Sequence, residues 1–208
     1  MDETPDDKDK NPRTIREWFL TQRSKNDYRP WEQNIRKIFD PKEALSGGEI
    51  LDYVHKNSGG RIQPSINILS DLDEMPLPEA DKPIILNLTN DPNKGTHWAV
   101  LFYRYNRTYM FDSYQVDLRI LPTRWRRSVR RWNNCGFQNP STVVCGHYTA
   151  LAVLYPWLFK HKSSLVQCSP VQTKFIKKYY GIKNVSLNHQ HTKNDLNVYM
   201  MYQAMKVN

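Results

Sequence analysis

The chain has 208 residues, 39% of them hydrophobic and 12% aromatic, with 30 Lys and Arg against 21 Asp and Glu. That length suits one domain with a full core, and no apolar run reaches the roughly 18 residues of a membrane-spanning helix. Three cysteines without Cys-x-x-Cys spacing argue against a disulfide framework and a zinc site, so no metal is expected and a reducing intracellular setting is. The acidic start Met1-Asp2-Glu3-Thr4 does not read as a secretory leader.

Residues 1–12, rich in Asp, Lys and Pro, are expected to be disordered, and residues 13–208 to form a single domain. Thr14 and Glu17 form a capping-box pattern for a helix over 14–20, and Trp31, Ile35 and Ile38 mark a second over 31–39. Ser46-Gly47-Gly48 leads into a helix over 49–55 that closes near Ser58-Gly59-Gly60. Residues 71–81 read as a loop, 83–89 as an apolar strand and 91–95 as a turn. Residues 97–103 and 108–113 read as two strands of a tight hairpin through Tyr105, Asn106 and Arg107. Arg124 to Trp132 has helical order, with Trp125, Val129 and Trp132 on one apolar face. An apolar helix opens at Cys145, and 173–180 and 195–205 read as surface helices. No internal repeat is visible. The expected fold class is α+β: a small antiparallel-rich mixed sheet flanked by helices, with Cys145 at the N-terminus of a buried one.

Four of these residues supply the parts of a thiol hydrolase. Cys145 is a nucleophile at a helix N-terminus, where unpaired N–H groups favour negative charge. His97 is a base that can hold the thiol as thiolate. Asp112 closes the hairpin as a carboxylate that fixes the imidazole. Gln138 would place an amide where oxyanion charge develops, beside the Cys145 N–H, and Trp98 and Gly146 would line the substrate path. A lone cysteine is more often a small buried hydrophobe; the four roles in one consistent setting favour chemistry. His55, His147 and His161 read as structural or solvated.

The motifs Gly95-Thr96-His97-Trp98, Phe111-Asp112-Ser113 and Gln138-x6-Cys145-Gly146 resemble the adenain family of viral maturation proteases and, more broadly, the superfamily it shares with ubiquitin-like-protein proteases. The resemblance covers about residues 83–158. Asp112 stands where adenain carries Glu, and the short His-to-acid spacing is a further departure; such mixed features resemble the proteases of virophages and Polinton-like elements. The resemblance implies a cysteine endopeptidase that cuts capsid and core precursors at Gly-containing sites, in the virion and at its host-cell assembly site. It implies a monomer with no obligatory cofactor, and DNA as an activating polyanion. Leu45-Ser46-Gly47-Gly48-Glu49 is similar to an adenain cleavage sequence, although these glycines read more simply as a turn between helices.

Charge is unevenly spread. Residues 1–117 carry 16 basic and 20 acidic side chains, and residues 118–208 carry 14 and 1, balances of −4 and +13. Arg124, Arg126, Arg127, Arg130 and Arg131 are candidate contacts for a polyanion, against the plainer reading of a solvated helix face. Three other functions fit parts of the pattern. They are a deconjugating isopeptidase for ubiquitin-like modifiers, an acetyltransferase using the same triad, and a non-enzymatic nucleic-acid-binding core protein.

Overall fold

The computed structural model describes residues 40–89, 97–139, 142–159 and 189–206. The expectations for 1–12, 14–20, 31–39, 91–95 and 173–180 lie outside the described residues. After a 3-10 turn at Pro41–Glu43, helix α1 spans Gly47–Ser58. Ser46 caps it: its hydroxyl accepts the Glu49 N–H at 3.3 Å while the Glu49 carboxylate takes the Ser46 N–H at 2.7 Å. Gly59, at φ 60°, ends it in the left-handed conformation that glycine adopts at little cost.

Five strands follow, interrupted by one helix: β1 Ser65–Ile68, β2 Ile84–Asn87, β3 Trp98–Arg104, β4 Arg107–Phe111, helix α2 Thr123–Ser128, then β5 Val129–Arg131. They lie side by side in chain order, with β1–β2 and β4–β5 parallel and β2–β3 and β3–β4 antiparallel. The class is therefore α+β with a mixed sheet. Every residue of β2 is buried, as expected of a short continuous apolar run covered on both faces. Ile85, Val100, Phe102 and Phe111 face one core with Ile50, Tyr148 and Tyr199. Ile84, Leu86, Ala99, Leu101 and Met110 face the other, with Leu72 and Trp125.

The β3–β4 turn is tighter than expected. Tyr105 and Asn106 alone make it, at φ 50° and 57°, with Arg104 opposite Arg107. Positive φ at both residues is the two-residue turn whose twist suits a hairpin.

Helix α3, Cys145–Leu154, is buried over residues 146–152 and packs on β3 and α1. Helix α4, His189–Ala204, packs on α3. The expected surface helix over 195–205 is corrected: Leu196, Val198, Tyr199, Met201 and Tyr202 are all buried, because apolar residues fall on several of its faces.

The expected helix over 124–132 is corrected as well. It stops at Ser128, and β5 begins at Val129 beside β4. Trp125 and Val129 enter one core and Trp132 the other. Alternation along a strand, not helical periodicity, sends Val129 and Trp132 to opposite faces. The cysteine expectation also needs correction, since Cys135 is disulfide-bonded and Cys145 is free.

Candidate active site

His97 and Asp112 meet at the open end of the β3–β4 hairpin, each one residue beyond the strands it borders. Both are buried, and His97 Nε2 lies 2.5 Å from Asp112 Oδ1. The carboxylate is held from its other side. Oδ1 also accepts the Tyr114 N–H at 2.9 Å, and Oδ2 accepts the Val116 N–H at 2.6 Å. Asn133 clamps the Asp112 backbone, donating to its carbonyl at 2.7 Å and accepting its N–H at 3.3 Å. The Tyr114 ring stacks on His97, centroids 4.2 Å apart and 16° from parallel. The imidazole is thus fixed in plane, in tilt and by one nitrogen.

Nδ1, the other ring nitrogen, has no hydrogen-bond acceptor or donor of oxygen or nitrogen among the described residues. Its neighbour is the Cys145 sulfur, close enough that each group moves the other's proton affinity. Burial opposes a charged imidazole, yet Asp112 and the sulfur outweigh it and hold His97 up at about 10. Burial likewise pushes the Cys145 thiol up, but His97 and the backbone N–H groups of Trp98 and Gly146 bring it below the ordinary thiol value. Val144 offers no side-chain cap to α3, which leaves the first-turn N–H groups to the sulfur. The favoured state is a thiolate–imidazolium pair, a nucleophile with its proton donor beside it.

Gln138 belongs to the same cluster and is fully buried. Its Oε1 accepts the Ser113 hydroxyl at 2.6 Å. Its Nε2 donates toward the Tyr114 hydroxyl at 3.0 Å and the Thr142 carbonyl at 3.1 Å. The two amide hydrogens therefore have acceptors inside the protein. Gln138 ties the Asp112 turn to the segment leading into Cys145.

Trp98 and Gly146 both pack against the entry to α1. The Trp98 indole donates to the Leu45 carbonyl at 2.9 Å. A Cβ on Gly146 would come within 2.8 Å of Leu45 Cβ and 3.3 Å of Ile50 Cδ1. The space beside Gly146 is filled by the entry to α1, so close packing calls for glycine there. His147 is buried against Tyr199 and Tyr202, and burial lowers it to about 3, so it stays neutral.

The arginines divide. Arg124, Arg126 and Arg127 are exposed on α2, and Arg130 is exposed on β5. Arg131 is partly buried, donating to the Gln115 carbonyl at 3.2 Å. They form a patch across a helix and an edge strand instead of one helical stripe.

Sequence reasoning missed Tyr114, Ser113, Asn133 and Thr142, which position the candidate catalytic groups without chemistry of their own. Ser113 appeared only as the last residue of the Phe111-Asp112-Ser113 motif, with no role assigned. Among the described residues no cluster of three metal-ligating side chains occurs, and no helix is long and apolar enough to cross a membrane. No family model and no curated protein matches the chain.

Proposed function

We propose that the chain is a cysteine endopeptidase of adenain type that matures viral capsid or core precursors. The observation that carries this reading is the His97 imidazole held between a buried, fully bonded Asp112 and the free thiol at the start of α3. The Cys145 thiolate attacks the scissile carbonyl carbon, and the His97 imidazolium gives its proton to the leaving amine. Water, deprotonated by His97, then cleaves the thioester and restores the thiolate. Asp112 keeps the imidazole's orientation and proton placement throughout. The Cys145 N–H is one oxyanion donor; Gln138 becomes the second by turning one amide hydrogen from Thr142 toward the substrate.

Incubation with capsid precursors, with sequencing of new termini, tests the reading. A Gly-Gly vinyl-sulfone peptide should label Cys145, and Cys145→Ala should cut nothing. Cleavage retained by Cys145→Ala would sink it. Cleavage of ubiquitin-like fusions in place of precursors would transfer the same triad to a deconjugating isopeptidase.

A second role, DNA binding at the Arg124, Arg126, Arg127 and Arg130 patch, is favoured by their common exposure and by the near-absence of acid over residues 118–208. DNA would then be an activating polyanion for a monomeric enzyme in the virion and at the host-cell assembly site.

A further inference from the structure

Residues 118–208 contain a single acid, Asp195, and it is wholly buried on α4. Its Oδ2 accepts the Asn139 N–H at 3.0 Å and meets the Thr142 hydroxyl at 2.8 Å. Its Oδ1 accepts the Tyr148 hydroxyl at 2.9 Å. The preceding residue, Asn194, donates to the Phe137 carbonyl at 3.1 Å. Two consecutive residues of α4 therefore grip both ends of the stretch that carries Gln138 and runs into Cys145. Tyr148 lies one helical turn beyond the thiol. Among the described residues no basic side chain pairs with Asp195; the titratable groups facing it are Tyr148 and Cys145 of α3, with Tyr114 beyond Tyr148.

A proton count fixes the state of this acid. Thr142 has one hydroxyl hydrogen and two oxygens within reach, the Asn139 carbonyl at 2.7 Å and Asp195 Oδ2 at 2.8 Å. Given to Asp195 Oδ2, that hydrogen leaves the 2.7 Å contact with the Asn139 carbonyl bare; given to the Asn139 carbonyl, it leaves the other contact to a proton on Asp195, which bridges both. Two bare oxygens at that distance in a buried site would be costly.

We propose that Asp195 acts as an un-ionised acid, a positioning residue that fastens the 137–142 stretch to the nucleophile helix. The proposal rests on Cys145 being the nucleophile. Burial keeps the proton on Asp195, outweighing the Thr142, Asn139 and Tyr148 hydrogen bonds that favour the charged form, and the negative charge of the nearby sulfur adds to it. Neutrality matters to the site, because a second anion there would oppose formation of the thiolate.

Infrared spectra, iodoacetamide alkylation of Cys145 and peptide turnover of the full chain test this with Asp195→Asn and Asp195→Ala. The wild type should show the carbonyl stretch of a buried carboxylic acid at neutral pH, absent from Asp195→Asn. Asp195→Asn, close in shape to the neutral acid, should keep kcat within about threefold, whereas Asp195→Ala should lose roughly 10–100-fold in kcat with little change in KM. Missing acid absorption, or Asp195→Asn as slow as Asp195→Ala, would overturn the un-ionised acid. Wild-type kcat in Asp195→Ala would overturn the positioning role. Should Asp195→Ala not fold, the band and the turnover of Asp195→Asn decide. Should wild-type protein cleave no peptide, the protease reading fails separately. The band then decides, with alkylation expected at the wild-type rate in Asp195→Asn and more slowly in Asp195→Ala.

Discussion

The Tyr114 ring lies flat on the His97 imidazole at 4.2 Å, and the Tyr114 hydroxyl accepts the Gln138 amide at 3.0 Å. One side chain thus orients both the base and the candidate oxyanion donor. Tyr114→Phe keeps the stack and should reduce kcat by less than about tenfold, while Tyr114→Ala frees the ring and should cost roughly 10²-fold. Steady-state kinetics on a peptide substrate check both; equal losses would mean that the hydroxyl, not the stack, does the positioning.

Asp112 anchors two backbone N–H groups as well as His97. Asp112→Asn should lower kcat more than Asp112→Glu does. A comparable triad loses on the order of 10⁴ on this change; a preformed thiolate–imidazolium pair should depend less on the carboxylate. Leaving a buried N–H unpaired costs about 1–3 kcal/mol, so thermal melting should also fall in Asp112→Ala. Wild-type activity in Asp112→Ala would remove it from the site.

Gln138→Ala should cost roughly 10²–10³ in kcat with KM nearly unchanged if the amide serves the oxyanion. It also leaves the buried Ser113 hydroxyl without its acceptor, so Tm should drop as well. A drop in Tm with kcat intact would leave Gln138 a purely structural tie.

The pH dependence of Cys145 alkylation follows from the two shifts. The thiol lies below its ordinary value and His97 lies at about 10, so the ion pair exists above the first and below the second. Reactivity should therefore persist below the ordinary thiol range and fade only as the thiolate takes up a proton. In His97→Ala, burial acts without its main opponent, and the apparent pKa should rise. An unmoved alkylation profile in His97→Ala would uncouple the pair.

Much of this site was legible because its parts are local. The hairpin announced itself as two β-rich apolar runs on either side of a short polar turn, and Cys145 by an apolar run too long for a strand. The arginine segment misled because Trp125, Val129 and Trp132 share helical spacing, while burial on two opposite sheet faces is a tertiary fact. β1 alternates as Ser65-Ile66-Asn67-Ile68, but four residues directly after Pro64 are too short a run to stand out, and none of them is fully buried. Tyr114 and Asp195 were illegible because their partners are spatial neighbours from other elements. Glycine at 47 reads as a turn, yet a Cβ there would lie 2.5 Å from Ile66 Cδ1; packing adds a second reason for it.

DNA affinity should fall steeply with salt, by roughly 10²–10³ between 50 and 200 mM if about five phosphates are contacted. Replacing Arg126, Arg127 and Arg130 with Gln should flatten that slope and leave DNA-free turnover unchanged. Arg131→Gln should alter the slope little, since its guanidinium is already engaged with Gln115. A slope untouched by the triple change would put the contacts elsewhere.

His97 and Asp112, fifteen residues apart, belong to one hairpin that needs nothing distant to close. The thiol belongs to a helix that must dock on that hairpin, and α4 docks on the helix in turn. Local contacts form ahead of distant ones because less chain must be brought together. A chain still emerging from the ribosome therefore has a base and a carboxylate but no activated sulfur. On the proposed reading, activation of the thiol waits on the docking of α3, which α4 braces, after the hairpin has closed.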